Sequence, residues 1–217
     1  MLKDFFETWK NVINAISLQS EWREVVFYSE GPWLTSHFNP LIKELCDVRS
    51  KKITLLTSST EDKINLSKKN NLKTIYIGSE SARTYLFRKF SAKLMIMSTP
   101  NLQNMQLKKE KETKYYYLHH SPCSTHMIYE DNAFDHFEGM FCIGPYHKNE
   151  VLEREKKNPI YKKNLLESGY PNFDNLKNYF ANESIKGQIL IAPTWGENSI
   201  TNLCLHSLVS KLIDLKY

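Results

Sequence analysis

Three histidines and three hydroxyl side chains lie close together in residues 115–130, which read YYYLHHSPCSTHMIYE. His119 and His120 end an aromatic, β-prone run, and His126 follows in the same loop. An imidazole exchanges a proton near neutral pH, so either member of the pair could act as a general base on a hydroxyl group, or could only satisfy backbone groups in a loop. Because side chains alternate along a strand, we expect only one of the two to face a cleft. The neighbouring hydroxyls belong to Ser121, Ser124 and Thr125.

The spacing of the three histidines does not indicate a metal site. It matches no zinc signature such as HExxH, and no carboxylate or cysteine lies at helical spacing to complete a ligand set. We therefore predict no metal and no cofactor. The sequence also contains no GxSxG elbow of serine hydrolases, no GxGxxG dinucleotide fingerprint and no P-loop.

Composition and charge describe a packed globular protein. The 217 residues are 41% hydrophobic, and 29 Lys and Arg against 24 Asp and Glu give a net charge of +5 that is spread over mixed stretches. This balance does not favour a nucleic-acid partner. The four cysteines form no CxxC pair, which is typical of free thiols in a reducing compartment. With no signal-peptide pattern and no membrane-span pattern, we expect a cytoplasmic protein.

Six short apolar runs predict strands that alternate with helical patterns. Helices are indicated after Asn39 as N-cap with Pro40 in the first position, around Ala82, Leu86 and Phe90, and over 146–157. This rhythm is typical of an α/β fold with a doubly wound, mostly parallel, Rossmann-like sheet, whose functional groups gather at the carboxyl ends of the strands. Those ends carry Glu30, Ser98, His119, His120 and Gly144. The predicted strands cover 24–30, 52–58, 73–79, 93–99, 114–120 and 139–145.

A change of pattern after residue 157 predicts three parts of the chain. Residues 1–157 form the Rossmann-like domain, 158–186 a polar connector, and 187–217 one βα unit with a strand over 187–196. Apolar residues repeat every fourth position from Ile200 to Leu212, so the stretch 200–213 should form an amphipathic helix. Without a covering partner we expect this stripe to favour self-association or a partner polypeptide.

Four segments resemble the CDP-glycerol glycerophosphotransferase family, the teichoic-acid-polymerase type with a GT-B fold. They are HHSPCSTHMIYEDNAFDHFEGMFCIGPYHKNEV at 119–151, ESGYPNFDNL at 167–176, ILIAPTWG at 189–196 and VVFYSEGPWLTSHFNPLIKEL at 25–45. The loop from 119 to 147 is the most specific part, and the segment 25–45 is similar to the first strand and helix of the family's N-terminal domain. The resemblance implies transfer of a polyol phosphate from a CDP-linked donor to a membrane-anchored acceptor at the inner face of a bacterial plasma membrane. It implies a protein of teichoic acid or capsule synthesis that is peripheral to the membrane.

The resemblance also assigns roles to residues. The family's histidine falls on His120 if its "HS" element is matched, and on His119 if its histidine, glycine, threonine, proline form is matched. That histidine would act as base on the acceptor hydroxyl. Ser121, Ser124 and Thr125 would donate to an acceptor phosphate or cap the following helix, and Glu30 would orient a ligand or be a solvated acid. Trp195 and Gly196 would line an interdomain cleft, although a tryptophan is more often a packing anchor.

The resemblance leaves the donor site open. Enzymes of this fold bind the nucleotide mainly with a C-terminal domain, and we expect only its first strand and helix in 187–217. The chain would then be the acceptor-side half of a transferase that a second half completes. The alternative is a non-catalytic acceptor-recognition or remnant domain that keeps the fold without the chemistry.

Overall fold

A computed structural model describes residues 2–66, 69–157, 162–173, 189–193 and 196–215. The chain divides into two compact units, Met1–Asn175 and Leu176–Tyr217.

The first unit is built on a seven-stranded sheet in the order β3-β2-β1-β4-β5-β6-β7, with every neighbouring pair parallel. All six predicted strands are confirmed, and so is the α/β fold class. The chain runs outward from β1 in one direction and then outward from β4 in the other, so the strand order reverses between β1 and β4. In open α/β sheets a crevice forms at such a point. The strands are β1 (Val25–Ser29), β2 (Ile53–Thr57), β3 (Leu72–Tyr76), β4 (Leu94–Met97), β5 (Lys114–Leu118), β6 (Gly139–Cys142) and β7 (Asn164–Glu167).

Helices cover both faces of the sheet, as parallel strands require. The predicted helix around Ala82 and Leu86 is present as α3 (Ser81–Lys89), and the one predicted over 146–157 is present as α5 (Pro145–Lys157). A π-helical turn, Glu44–Val48, continues α2. The α-helices of this unit whose full range is described are α1 (Leu2–Ile16), α2 (Pro32–Lys43), α3 (Ser81–Lys89), α4 (Thr125–Ile128) and α5 (Pro145–Lys157).

The predicted start of α2 at Asn39 and Pro40 is wrong. The helix begins at Pro32 with Gly31 as N-cap, so Pro40 lies inside it. An internal proline costs a helix about 3 kcal/mol, whereas each large apolar side chain that becomes fully buried contributes about 1.5–3 kcal/mol. Starting the helix at Pro32 adds two such side chains, Leu34 and Phe38, in line with Ile42, and their burial offsets the cost of the proline.

The strand β7 lies inside the stretch 158–186 that we predicted to be a connector. It pairs with β6 from Gly139↔Asn164 to Cys142↔Glu167. This edge strand carries only two apolar residues, Leu165 and Leu166, and Leu166 is exposed. The apolar pattern that reveals a central strand is therefore absent from it.

The core has one layer on each side of the sheet, because successive side chains of a strand point to opposite faces. Val26 and Tyr28 of β1 lie in the layer covered by α1, α3 and α5, whereas Phe27 lies in the layer covered by α2. In β5, Tyr115 and Tyr117 lie in the layer covered by α1, α3 and α5, and Leu118 lies in the layer covered by α2. This alternation decides where the two histidines after β5 point.

The second unit contains two helices in its described part, α6 (Ile200–Leu203) and α7 (Leu205–Asp214). They replace the single predicted helix because Cys204, with φ −153° and ψ 14°, interrupts the helical backbone. Apolar side chains of this stretch are exposed, among them Leu203 and Ile213. Residues 189–193 form no strand, and the rest of the strand predicted over 187–196 lies mostly outside the described residues. No helix in the described ranges is long and apolar enough to cross a membrane.

Candidate active site

The site lies at the carboxyl ends of β1, β4 and β5, beside the point where the strand order reverses. The Ser98 hydroxyl, just after β4, donates to the Leu118 carbonyl oxygen at 2.7 Å and ties the ends of β4 and β5 together. After β1, the Ser29 hydroxyl donates to the Gly31 carbonyl oxygen at 2.8 Å and accepts from the Thr35 hydroxyl at 2.7 Å. These bonds fix the first turn of α2 against the edge of the sheet.

His120 lies half-buried at this edge, on the α2 side of the sheet. Its ring meets the exposed Trp33 of α2 edge-on, with 5.4 Å between ring centroids. Its Nδ1 lies 3.4 Å from the Tyr117 hydroxyl. The Tyr170 hydroxyl donates to the His120 backbone oxygen at 3.1 Å. The structure therefore holds both the backbone and the ring of His120 while leaving part of the imidazole accessible.

A second imidazole, His37, lies next to His120 and was not predicted from the sequence. The two ring centroids are 6.1 Å apart. Asn172 Nδ2 donates to His37 Nδ1 at 2.8 Å. The signal that could have revealed it is helical spacing: once α2 begins at Pro32, Trp33 and His37 are four residues apart and share one face of the helix.

Burial keeps both imidazoles neutral near neutral pH. It lowers the pKa of His120 from 6.5, and a hydrogen bond with the backbone of Ser98 opposes that shift. The pKa of His37 is also lowered, first by burial and then by the charge of His120. A neutral imidazole has a free lone pair, so His120 has the protonation state that a general base needs.

His119 faces the opposite core layer, in line with the side-chain alternation of β5. It is 1% exposed, and its ring stacks on the buried His147 with 4.1 Å between centroids. Neither ring nitrogen of His119 has a hydrogen-bond partner among the described residues. Burial, followed by the charges of His147 and His120, lowers the pKa of His119 to about 3. The geometry therefore favours His120 over His119 as the accessible base.

The hydroxyl residues after the histidines lie at the start of α4. Thr125 donates to Glu150 of α5 from its backbone nitrogen at 2.7 Å and from its hydroxyl at 2.5 Å. Ser124 is the N-cap residue of α4 and also hydrogen-bonds Glu150. Burial raises the pKa of Glu150, but these hydrogen bonds outweigh it and the pKa is lowered. Ser124 and Thr125 thus fasten the loop to α5, while Ser121 lies half-buried directly beside His120.

Glu30 is paired with a cation that was not predicted. Its Oε1 accepts from Arg83 Nη1 of α3 at 3.0 Å, and the same nitrogen donates to the Tyr28 hydroxyl at 3.1 Å. Arg83 also donates to Gln106 and is 8% exposed. This network joins the end of β1 to α3 and to the loop after β4. It gives Glu30 a structural partner at the rim of the site.

The two remaining predicted residues belong to the second unit. Trp195 lies outside the described residues. Gly196 is exposed, with φ 116°, and its carbonyl oxygen accepts from Asn202 Nδ2 at 3.0 Å. It forms the turn that leads into α6. In the part of the chain that the structure describes, no three His, Cys, Asp or Glu side chains form a group that could hold a metal ion.

The fold resembles that of a wall teichoic acid polymerase. No model of a protein family matches the chain, and no curated protein matches its sequence. Among solved structures, a histidine-to-asparagine variant of the wall teichoic acid polymerase TagF soaked for 30 minutes with CDPG superposes with a TM-score of 0.54 and 13% identity, covering 98% of this chain and 62% of TagF.

Two further TagF structures superpose less closely. The variant after a 15-minute soak gives a TM-score of 0.49 at 12% identity, covering 81% of this chain and 48% of that one. A histidine-to-alanine variant gives 0.48 at 12% identity, covering 82% and 49%. This chain therefore spans less than two thirds of each TagF chain. The superposition at a TM-score of 0.54 and 13% identity shows the α/β fold alone.

Proposed function

We propose that the chain takes part in the synthesis of a bacterial cell-surface polymer, a teichoic acid or a capsule, by transfer of a polyol phosphate from a CDP-linked donor to a membrane-anchored acceptor. The observation that carries the proposal is the position of His120: a neutral, half-buried, partly accessible imidazole at the carboxyl edge of the sheet. The sequence resemblance places the family's acceptor-activating histidine on this residue or on His119. The fold shared with TagF supports the family-level proposal, but it assigns no role to an individual residue.

In the proposed reaction His120 removes the proton from an acceptor hydroxyl. The O–H bond breaks, and the acceptor oxygen uses that electron pair to form the new O–P bond. The P–O bond to CMP breaks at the same phosphorus, and CMP leaves with the electron pair of that P–O bond. Tyr117, at 3.4 Å from Nδ1, and the backbone of Ser98 keep the ring oriented during the step. General-base catalysis of this kind contributes about 10²–10⁴-fold in rate. We assign no residue of this chain to the CDP group.

The test is a transfer assay with CDP-glycerol and a lipid-linked glycerol phosphate acceptor, in which release of CMP and extension of the acceptor are both measured. We expect His120→Ala to lower transfer by about 10²–10⁴-fold. The matched control is His119→Leu, which changes the neighbouring buried histidine and should retain transfer within a few-fold. Measurable transfer that is equal in His120→Ala and the unmodified chain would refute the assignment of the base.

The alternative function is a non-catalytic domain that recognises the acceptor. One observation favours it: the ring contacts and hydrogen bonds of His120 within the described residues involve aromatic, hydroxyl and backbone groups, but no lysine or arginine that could stabilise a pyrophosphate leaving group. Calorimetric titration with CDP and with CDP-glycerol separates the two functions. Binding of either nucleotide supports transfer by this chain, whereas acceptor binding without nucleotide binding and without transfer supports the recognition domain or an acceptor-side half that needs a second polypeptide.

A further inference from the structure

One short segment, Tyr170 to Asn172, holds both accessible imidazoles of the site. Tyr170 donates to the backbone oxygen of His120 at 3.1 Å, and Asn172 donates to Nδ1 of His37 at 2.8 Å. The ring of Tyr170 also packs against His37, with 5.7 Å between centroids. A segment that only connected β7 to the following residues would need neither bond. Its contacts instead fix the relative position of two histidines that come from different elements.

The bond from Asn172 determines which nitrogen of His37 carries the proton. An amide N–H can only donate, so Nδ1 of His37 accepts with its lone pair and the neutral ring carries its proton on Nε2. In the described ranges Nε2 makes no hydrogen bond, and it is not among the buried atoms that lack a partner. His37 is half-buried, so the Nε2–H group is an oriented donor with no hydrogen-bond partner among the described residues.

This donor shares its surroundings with the proposed base. The rings of His37 and His120 are 6.1 Å apart, and the ring of Trp33, 58% exposed, lies against His120 on the same face of α2. A molecule that brings a hydroxyl group to His120 therefore also comes within reach of the His37 donor. The exposed indole of Trp33 provides an apolar wall for it.

We propose that His37, fixed by Asn172, positions the acceptor by donating a hydrogen bond from Nε2 to a phosphate oxygen of the polyol phosphate whose hydroxyl His120 deprotonates. This inference rests on the proposed function and extends it to a residue that neither the sequence motifs nor the fold likeness assigns. The chemistry is consistent with a neutral donor. His120 gains a proton during the step, and a neutral His37 binds the phosphate without placing a second positive charge 6.1 Å from that ring.

The first part of the test measures the tautomer of His37 by long-range proton–nitrogen NMR on the chain with ¹⁵N-labelled histidine. We expect Nε2 to be protonated and Nδ1 to be unprotonated. Asn172→Ala should give a mixture of tautomers, and Asn172→Asp should move the proton to Nδ1, because a carboxylate only accepts. A His37 ring protonated on Nδ1 in the unmodified chain would overturn the inference.

The second part measures binding of sn-glycerol 3-phosphate from the shifts of the His37 and His120 ring signals. Removing a hydrogen bond to a charged acceptor should weaken binding about tenfold or more in His37→Phe, which keeps an aromatic ring but has no donor. His37→Gln, whose amide nitrogen replaces Nε2 as a donor, should bind within about threefold of the unmodified chain. The signals of the buried His119 check that each variant is folded.

The outcomes separate the inference from the proposed function. Binding that is lost in His37→Phe and kept in His37→Gln supports both. Equal binding by His37→Phe overturns the role of His37 and leaves the role of His120 standing. No binding by the unmodified chain at any accessible concentration of sn-glycerol 3-phosphate overturns both.

Discussion

Replacing the buried His119 with leucine should make the protein less sensitive to acid. The imidazole is 1% exposed and neither of its nitrogens has a partner among the described residues. Burial is the main cause that lowers its pKa from 6.5 to about 3, with the charges of His147 and His120 adding to the shift and Glu150 opposing it. The folded protein therefore holds this ring in its neutral form under conditions that protonate it in the unfolded chain.

The sign and size of the effect follow from linkage. Because the folded pKa lies below the unfolded one, the unfolded chain binds the extra proton as the pH falls from 6.5 towards about 3. The stability is fully present well above 6.5 and falls through that window at up to about 1.4 kcal/mol per pH unit, which amounts to roughly 2 kcal/mol between about pH 6.5 and about pH 4.5. Leucine has no proton to gain and removes two unpartnered buried nitrogens, so His119→Leu should be at least as stable as the unmodified chain at neutral pH.

The assay is urea unfolding followed by circular dichroism at several values between about pH 4.5 and about pH 7.5, with the free energy of unfolding plotted against pH. The control is His206→Gln, which changes an exposed histidine of α7 and should shift stability by less than about 0.5 kcal/mol throughout. We expect a flatter acid limb only for His119→Leu. An acid limb of equal slope in His119→Leu and the unmodified chain would show that His119 is not the buried neutral group that the structure indicates.

Two further substitutions test packing and charge near the site. Gly139→Ala would place a Cβ 2.2 Å from the ring of Tyr116 on the neighbouring strand, so we expect the free energy of unfolding to fall by about 1–3 kcal/mol in the same assay. Combining Gly139→Ala with Tyr116→Ala should recover part of that loss. An unchanged midpoint for Gly139→Ala would contradict this close approach. Arg83→Met leaves Glu30 without its cation, and because the Glu30 side chain is 32% exposed we expect a loss of about 1–3 kcal/mol, less than for a fully buried pair. Adding Glu30→Gln to Arg83→Met should restore part of that loss, and a double variant no more stable than Arg83→Met would argue against the ion pair.

Local sequence patterns were sufficient to predict the strands that are buried on both faces. The central strands are apolar on both faces because helices cover both sides, so each is visible as a short run of aliphatic and aromatic residues. The edge strand β7 and the first two turns of α2 were missed because their residues are half-exposed or carry a misleading proline signal at Pro40. In both cases a tertiary contact, with β6 or with the core layer under α2, stabilises what local propensity leaves undecided.

The sequence likewise predicted only part of the candidate site. That one of His119 and His120 faces a cleft followed from the alternation of side chains along β5, but which one does so depends on which face α2 covers. The partners of Ser124, Thr125 and Glu30, which are Glu150 and Arg83, were not predicted from the sequence. Partners from distant parts of the chain leave no periodic trace in the sequence, so motif spacing could not reveal them.

The amino-acid sequence by itself determined the fold class, six of the seven strands and the loop that carries the proposed base, because hydrophobic periodicity records the burial of each element. Only the tertiary structure decided that His37 and Asn172, 135 positions apart, meet beside His120. Their contact depends on the order of the strands and on the face that α2 covers, which are properties of the whole sheet. The folded sheet, and no single stretch of the chain, brings the base and its proposed positioning group together.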